Sequence, residues 1–249
     1  MRLLIYLLPV ALLSSCRPRP APEAQLTVAA AANLVEAFRE AGAAFKAKTG
    51  VDVVFSHGST AQLARQIENG APFDLFAAAD TANVDALIAA GKLTAESRAV
   101  YASGQLALWI PDPEKRGVRD LKDLNGPAIR FIAIAQPDLA PYGKAAVEAL
   151  QKSGQWEALK PKLVYANSVS QAHQMAQSGN ADAAFTAFSL LLRDAGTIVK
   201  IDPGLYSPIE QALAILAGTP RTREANLFRA FLLGPEGRAI LLRNGYLLP

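Results

Sequence analysis

Short apolar runs alternate with segments of helical periodicity along most of the chain. In the first third, extended runs at 26–30, 51–56 and 73–78 are each followed by apolar residues spaced three or four positions apart. Each of the three predicted helices ends before a glycine, the residue that most often terminates a helix in the left-handed conformation: Gly50, Gly70 and Gly91. This alternation predicts an α/β protein with helices packed on a parallel or mixed sheet.

A longer extended segment at 101–111 interrupts this rhythm, and a second β/α series follows it. The second series has predicted strands at 129–135, 163–166 and 181–186 and predicted helices at 142–152 and 169–177. Another extended run at 209–216 precedes helical material at 221–242.

Two extended crossings therefore bracket the middle third of the chain. They predict two lobes joined by two hinge strands, an arrangement that can open and close. We expect residues 26–103 and 207–249 to form lobe 1 and residues 104–206 to form lobe 2. A single continuous sheet is the alternative.

The first residues have the features of a targeting segment. Arg2 precedes the apolar run 3–13, which is shorter than the ~20 residues that span a bilayer and fits a secretory signal peptide. We expect residues 1–15 to be this signal peptide. The run ends in "LSSC", which resembles the lipobox of bacterial lipoproteins, where the thiol is acylated; an ordinary signal peptide is the alternative. Cys16 is the only cysteine, and residues 16–25 predict a lipidated, proline-rich tether to a membrane.

Composition excludes two broad classes of protein. Of the 249 residues, 51% are hydrophobic and 19% are charged, which is typical of a folded chain rather than a disordered one. Lys and Arg number 25 against 22 Asp and Glu, so no basic excess points to nucleic acid as a partner.

Four strand-to-helix junctions carry small or polar residues. In open α/β sheets, ligands lie beyond the carboxyl ends of the strands, where the free N–H groups of helix starts favour anions. If each helix start acts as roughly +0.5 charge, four of them approach the charge that balances a dianion. Each junction alone also fits ordinary helix capping by Ser, Thr or Asn. The junctions are Ala31-Ala32-Asn33, Gly58-Ser59-Thr60, Ala140-Pro141-Tyr142-Gly143 and Asn167-Ser168-Val169.

Three segments carry a resemblance to a known family. They are "LTVAAAANLVEAFREAGAAFKAKTGVDVVFSHGSTAQLARQIENGAPFDLFAAAD", "APYGKAAVEAL" and "NSVSQAHQMAQSGNADAAF". The chain resembles, from about residue 26 to its end, the molybdate-binding, substrate-capturing component of bacterial ABC transporters. The resemblance implies a two-lobed periplasmic-binding-protein fold of type II. It also implies a monomeric, periplasmic or cell-surface receptor that closes on molybdate or tungstate and delivers the oxyanion to permease subunits.

The resemblance also implies which residues contact the oxyanion. Asn33 stands where the family commonly has a serine, and its side-chain amide can donate. Thr60, with Ser59 beside it, matches the hydroxyl position of the second junction. Tyr142 and Val169 match positions that contribute main-chain N–H groups.

One position departs from the family pattern. Many members have a ligand-contacting tyrosine after the strand at 181–186, and here Ala187 stands at that place. A hydrogen bond to a charged group contributes roughly 1.5 to 3 kcal/mol, so its loss needs compensation. We expect the hydroxyl of Tyr142 or Ser189 to supply it.

Residue patterns for catalysis or for a free metal cation are not found in the sequence. His57 and His173 have no second ligand at metal spacing, and neither a nucleophile elbow nor a phosphate-binding loop is present. Asp74 and Asp80 could form a general acid and base, but we expect them to cap the next helix or to hold the lobe together. We expect a binding protein without cofactor and not an enzyme. Alternatives are the same fold with sulfate, phosphate or a small carboxylate as ligand and, more distantly, an enzyme on this scaffold.

Overall fold

The computed structural model describes residues 25–112 and 117–249. The predicted signal peptide, Cys16 and the tether up to residue 24 lie outside the described residues. Within the described ranges, none of the helices combines the length and the apolar character needed to cross a bilayer.

Ten strands and eight α-helices make up the fold of the described residues. The strands are β1 (Gln25–Ala31), β2 (Asp52–Gly58), β3 (Leu75–Ala77), β4 (Ala99–Gly104), β5 (Leu106–Ile110), β6 (Ile132–Ala135), β7 (Leu163–Ala166), β8 (Ala183–Ala187), β9 (Thr197–Lys200) and β10 (Ile209–Ile215). The helices are α1 (Val35–Thr49), α2 (Thr60–Glu68), α3 (Ala82–Ala89), α4 (Pro141–Lys152), α5 (Trp156–Leu159), α6 (Val169–Gln177), α7 (Thr222–Leu233) and α8 (Pro235–Arg243).

These strands form two separate five-stranded sheets. The first has the order β2-β1-β3-β10-β4 and the second the order β7-β6-β8-β5-β9. In the first sheet β1 is parallel to β2 and β3, whereas β10 is antiparallel to β3 and β4. In the second sheet β6 is parallel to β7 and β8, whereas β5 is antiparallel to β8 and β9. The prediction of two mixed sheets flanked by helices is confirmed, and a single continuous sheet is not observed.

The chain passes between the two sheets at two places. The first passage lies at Gln105, between β4 and β5, and the second lies between β9 and β10. The exact division into lobes, 26–103 with 207–249 against 104–206, remains a prediction.

Two short elements were not predicted from the sequence. The edge strand β9 (Thr197–Lys200) and the single-turn helix α5 (Trp156–Leu159) lack the length over which an apolar period becomes visible. The longer helices end as predicted. Gly50, for example, has a φ of 74° and its N–H donates to the carbonyl oxygen of Lys46 at 2.8 Å.

The largest apolar core runs from the first sheet into the second. It contains Leu26 and Val28 of β1 together with Leu106 of β5 and Ile134 of β6. Apolar residues of the two halves are therefore packed in one continuous core.

Candidate functional site

A small cavity lies where the first turns of four helical segments meet. It contains about 190 Å³ of space not filled by atoms, including its opening to solvent. All five oxyanion-binding residues expected from the sequence line it. The full lining is Ala31, Ala32, Asn33, Gly58, Ser59, Thr60, Ala79, Ala140, Pro141, Tyr142 and Val169.

Parallel strand pairs explain this convergence. In the first sheet Ala31 of β1 pairs with Gly58 of β2, so both strands end at the same edge. In the second sheet β6 and β7 also end together and lead to the starts of α4 and α6. Gly143 allows α4 to begin close to β6, because a Cβ atom there would overlap the carbonyl oxygen of Ala135. The cavity therefore receives two helix starts from each sheet.

Ser59 presents a hydroxyl without a protein partner. It is the N-cap residue of α2, yet its side chain makes no capping hydrogen bond. Ser59 is 2% exposed, and its Oγ has no partner among the described residues. By contrast, the Oγ of Ser168 caps α6 and accepts from the N–H of Gln171 at 3.2 Å. Ordinary helix capping thus explains the role of Ser168 but not that of Ser59. Burying an unpaired hydroxyl costs about 1–3 kcal/mol, so the buried Ser59 hydroxyl needs another explanation.

Thr60 adds a second hydroxyl beside Ser59. Its Oγ1 accepts from the N–H of Ala79 at 3.1 Å, which leaves its proton free to be donated. The next residue, Ala61, contributes no amide to the cavity, because its N–H donates to the carbonyl oxygen of Leu139 at 3.1 Å.

Tyr142 and Val169 bring main-chain donors from the other side of the cavity. Tyr142 follows Pro141 in the first turn of α4, and Val169 is the first residue of α6. The first four N–H groups of a helix have no acceptor within it. Both residues are buried and line the cavity, so these amides can donate to a ligand there.

The side-chain amide of Asn33 is used within the protein. Its Nδ2 donates to Oε1 of Gln211 and to the hydroxyl of Tyr246, both at 3.0 Å. The Tyr246 hydroxyl in turn donates its only proton to the main-chain oxygen of Asn33 at 2.7 Å, which fixes the orientation of the amide. The side-chain donation expected from the sequence therefore has no free hydrogen, and the main-chain N–H is the donor that remains. The Oδ1 atom of Asn33 has no hydrogen-bond partner in the described part of the chain.

Among the residues that the structure describes, none with a charged side chain lines this cavity. Asp80 follows the lining residue Ala79, but its Oδ1 accepts from the N–H of Asn83 at 2.9 Å. Burial raises the pKa of Asp80. Asp74 accepts from the N–H of Thr27 at 2.7 Å and from the hydroxyl of Thr219 at 2.6 Å. Both carboxylates thus hold the fold, and main-chain dipoles and hydroxyls supply the polarity of the cavity.

The sequence profile described as "Bacterial extracellular solute-binding protein" matches residues 26–247. The chain belongs to this family. The resemblance to the molybdate-binding component of ABC transporters is also confirmed. The chain is 37% identical to the molybdate-binding protein ModA of Rhodobacter capsulatus over 228 residues, which are 91% of this chain and 90% of the relative.

Solved structures of extracellular solute-binding proteins share the architecture. The periplasmic molybdate-binding protein of Azotobacter vinelandii superposes with a TM-score of 0.86 at 34% identity and covers 90% of this chain and 99% of its own. The sulfate-binding protein SubI of Mycobacterium tuberculosis superposes with a TM-score of 0.77 at 19% identity, over 90% of this chain and 86% of its own, and shows the fold alone. The predicted periplasmic-binding-protein fold of type II is confirmed.

In this solute-binding protein, the hydroxyls near Ala187 are engaged by the protein. Ala187 is the last residue of β8 and is fully buried. The Ser189 hydroxyl donates to the main-chain oxygen of Asn33 at 3.1 Å, and the Tyr142 hydroxyl accepts from Nε2 of Gln211 at 3.1 Å. Compensation by Ser189 would require a change in its bond, whereas the Tyr142 hydroxyl accepts in its bond and keeps its own proton to donate.

The two histidines do not form a metal site. Nε2 of His173 lies 2.6 Å from Oδ2 of Asp194, and its ring stacks on Trp109 at 4.7 Å. His57 stacks on Phe55 in β2 and does not line the cavity. Among the described residues, no group of three His, Cys, Asp or Glu side chains could hold a metal ion.

Gln211, which is bonded to the lining residues Asn33 and Tyr142, is a residue that the sequence did not single out. It lies in β10, whose sequence "IEQALAI" reads as an apolar strand, and it is fully buried. A polar side chain at an inward position of such a strand is the signal that could have identified it, because buried amides need partners.

Proposed function

We propose that this protein is an extracytoplasmic receptor that binds a tetrahedral oxyanion, molybdate or tungstate, and delivers it to an ABC permease. One observation carries the proposal: the Ser59 hydroxyl is buried in a cavity ringed by helix starts, and within the described ranges it has no partner and no charged side chain lines the cavity. The molybdate-binding relatives support it, since they align with nine-tenths of the chain.

The donors divide into main-chain and hydroxyl groups. We assign main-chain N–H groups of Asn33, Tyr142 and Val169 to the oxyanion, together with the hydroxyls of Ser59 and Thr60. Helix starts with roughly +0.5 charge each would offset much of the charge of a dianion without a cationic side chain. The bound species is a metal oxyanion, so no free metal ion, cofactor or catalytic step is part of the proposal.

Location and movement follow from the same assignment. The signal peptide at 1–15 and acylation of Cys16 would place the protein outside the cytoplasm, on a membrane and near its permease. Lobe 1 (26–103 and 207–249) and lobe 2 (104–206) would open to admit the oxyanion and close on it as a monomer. Burial of the ligand between preorganised donors supplies specificity through cavity size.

Calorimetric titration of the full-length protein in detergent tests the ligand. Molybdate, tungstate, sulfate and phosphate are compared, and thermal unfolding is recorded with each. Phosphate is included because Oδ1 of Asn33 lacks a donor, and an anion that carries a proton could supply one. At a ligand concentration 100 times the Kd, linkage predicts about 2.7 kcal/mol of stabilisation. Stabilisation by sulfate or phosphate without any by molybdate or tungstate would reject the assigned ligand.

Acylation is tested at Cys16. Metabolic labelling with a fatty acid should mark the wild-type protein in the membrane fraction, and Cys16→Ser should abolish both the label and the attachment. A labelled, membrane-bound Cys16→Ser protein would show that the anchor lies elsewhere.

A further inference from the structure

A buried hydrogen-bond network lies where the two passages between the sheets meet. Its centre is Gln211, which is 0% exposed. Oε1 of Gln211 accepts from Nδ2 of Asn33 and lies 3.0 Å from the hydroxyl of Tyr101, and Nε2 donates to the hydroxyl of Tyr142 at 3.1 Å. Every polar atom of the Gln211 side chain therefore has a partner.

This network joins the two halves of the fold. Gln211 lies in β10 and Tyr101 in β4, both in the first sheet, whereas Tyr142 lies in α4, which follows β6 of the second sheet. Two further hydrogen bonds cross the same gap: the Ser189 hydroxyl to the Asn33 oxygen and the Ala61 N–H to the Leu139 oxygen. These bonds connect the two halves directly, as expected of a closed arrangement, and the bond between Gln211 and Tyr142 is one of them.

Gly104 leaves the space that this bond requires. It is the last residue of β4, opposite Ile209 of β10. A Cβ atom at this position would overlap the Tyr142 hydroxyl and would lie 2.8 Å from Nε2 of Gln211. A glycine is therefore needed here for close approach rather than for an unusual backbone angle.

The network ends on two residues that line the oxyanion cavity. Asn33 and Tyr142 lie on opposite sides of the gap, and Gln211 is bonded to both side chains. Burial raises the pKa values of the Tyr101 and Tyr142 phenols well above the ordinary value, so both remain neutral hydrogen-bonding groups at neutral pH.

We propose that Gln211 is a positioning residue: by bonding Asn33 on one side and the Tyr142 hydroxyl on the other, it stabilises the closed form and aligns the amides of both helix starts on the ligand. On this view the Tyr142 side chain holds the halves together and only its main-chain N–H serves the oxyanion. The inference deepens the proposed function and rests on it for the identity of the ligand, but closure itself can be measured without ligand.

The N–H of Ala61 reports closure directly. Ala61 is the second residue of α2, so its N–H has no acceptor within the helix. Its acceptor is the carbonyl oxygen of Leu139 across the gap, at 3.1 Å. Hydrogen exchange of this amide in the ligand-free, full-length protein therefore measures the fraction of molecules that are closed, whichever anion the protein binds.

The experiment compares Tyr142→Phe, Gln211→Leu and the double variant. Each single variant should lower the protection of the Ala61 amide and raise the dissociation rate of molybdate. Tyr142→Phe should raise this rate about three- to ten-fold, the effect of one net hydrogen bond, and Gln211→Leu at least as much, because it also removes the bond to Asn33. The double variant should be no worse than Gln211→Leu, because the bond that Tyr142→Phe removes is already lost in Gln211→Leu. Gly104→Ala should act in the same direction. Tyr165→Phe and Gln151→Leu, at exposed positions on β7 and α4, are matched controls that should change neither quantity.

The outcomes separate this inference from the proposed function. Unchanged Ala61 protection in Tyr142→Phe, with circular dichroism showing a folded protein, would overturn the inference even if molybdate binds. Additive losses of molybdate affinity would also overturn it, since they would mean that the Tyr142 hydroxyl contacts the ligand independently of Gln211. Loss of Ala61 protection in a protein that binds none of the four anions would retain the inference and reject the proposed function.

Discussion

Replacing Ser59 by alanine should separate ligand binding from stability. The hydroxyl lost in Ser59→Ala makes no capping bond and has no partner among the residues the structure describes, so the usual cost of about 1 kcal/mol for removing an N-cap does not apply. Because an unpaired buried hydroxyl is removed, the free energy of unfolding of the ligand-free protein should stay the same or rise slightly. Affinity for molybdate should fall, since a hydrogen bond to a charged group contributes about 1.5–3 kcal/mol, or roughly 10- to 150-fold in Kd.

The two serines that flank α6 provide the comparison. Ser168→Ala removes a cap that is made, so it should cost about 1 kcal/mol of stability. Ser178→Ala removes an exposed hydroxyl at the far end of that helix and should leave molybdate affinity unchanged. Urea unfolding without ligand and calorimetry with molybdate measure the two quantities. Wild-type affinity in Ser59→Ala, or a loss of stability as large as in Ser168→Ala, would refute the assignment of Ser59 as a ligand donor.

Three further predictions concern the amides, the charges and the phenols. Val169→Pro removes one N–H at the first position of α6, where a helix accommodates proline. Helix content by circular dichroism should therefore persist, while molybdate affinity falls about 10- to 100-fold. Unchanged affinity would exclude the Val169 amide as a ligand donor. Asp80→Asn should speed molybdate association roughly two- to five-fold, and at low salt only, because the Asp80 carboxylate lies in a groove that adjoins the cavity and repels the anion. Stopped-flow fluorescence measures the association rate, and a slower rate in the variant would contradict this prediction. Burial raises the pKa of Tyr101, Tyr142 and Tyr246 in the folded protein. The stability that these phenols contribute should therefore be present below about pH 10 and be lost above it, where the phenols of the unfolded chain ionise. Urea unfolding that shows no decline in stability above that pH would refute this prediction.

The elements that build the site are predictable because their sequences are locally consistent. The strand β7 and the helix α6 have the bounds that were predicted, since an apolar run and a helical period are both read within a few residues. The convergence of four helix starts also follows from the rule that parallel strands end at one edge.

The roles of individual side chains at those helix starts depend on distant contacts. Ser59 and Ser168 are both serines at an N-cap, and only the structure shows that one makes the capping bond and the other does not. Asn33 is bonded to Gln211, 178 positions away, and to Tyr246, 213 positions away. No local pattern reveals such partners, which is why the side-chain donation expected of Asn33 has no free hydrogen.

A crystal structure of the protein with bound molybdate, located by the anomalous scattering of molybdenum, tests the central claim most directly. The account predicts one molybdenum peak inside the cavity, with oxygens in hydrogen-bond contact with the Ser59 hydroxyl and the main-chain N–H groups of Tyr142 and Val169. It also predicts no Lys or Arg side chain in contact with the anion. A molybdate held by an arginine or lysine, or located outside this cavity, would contradict it.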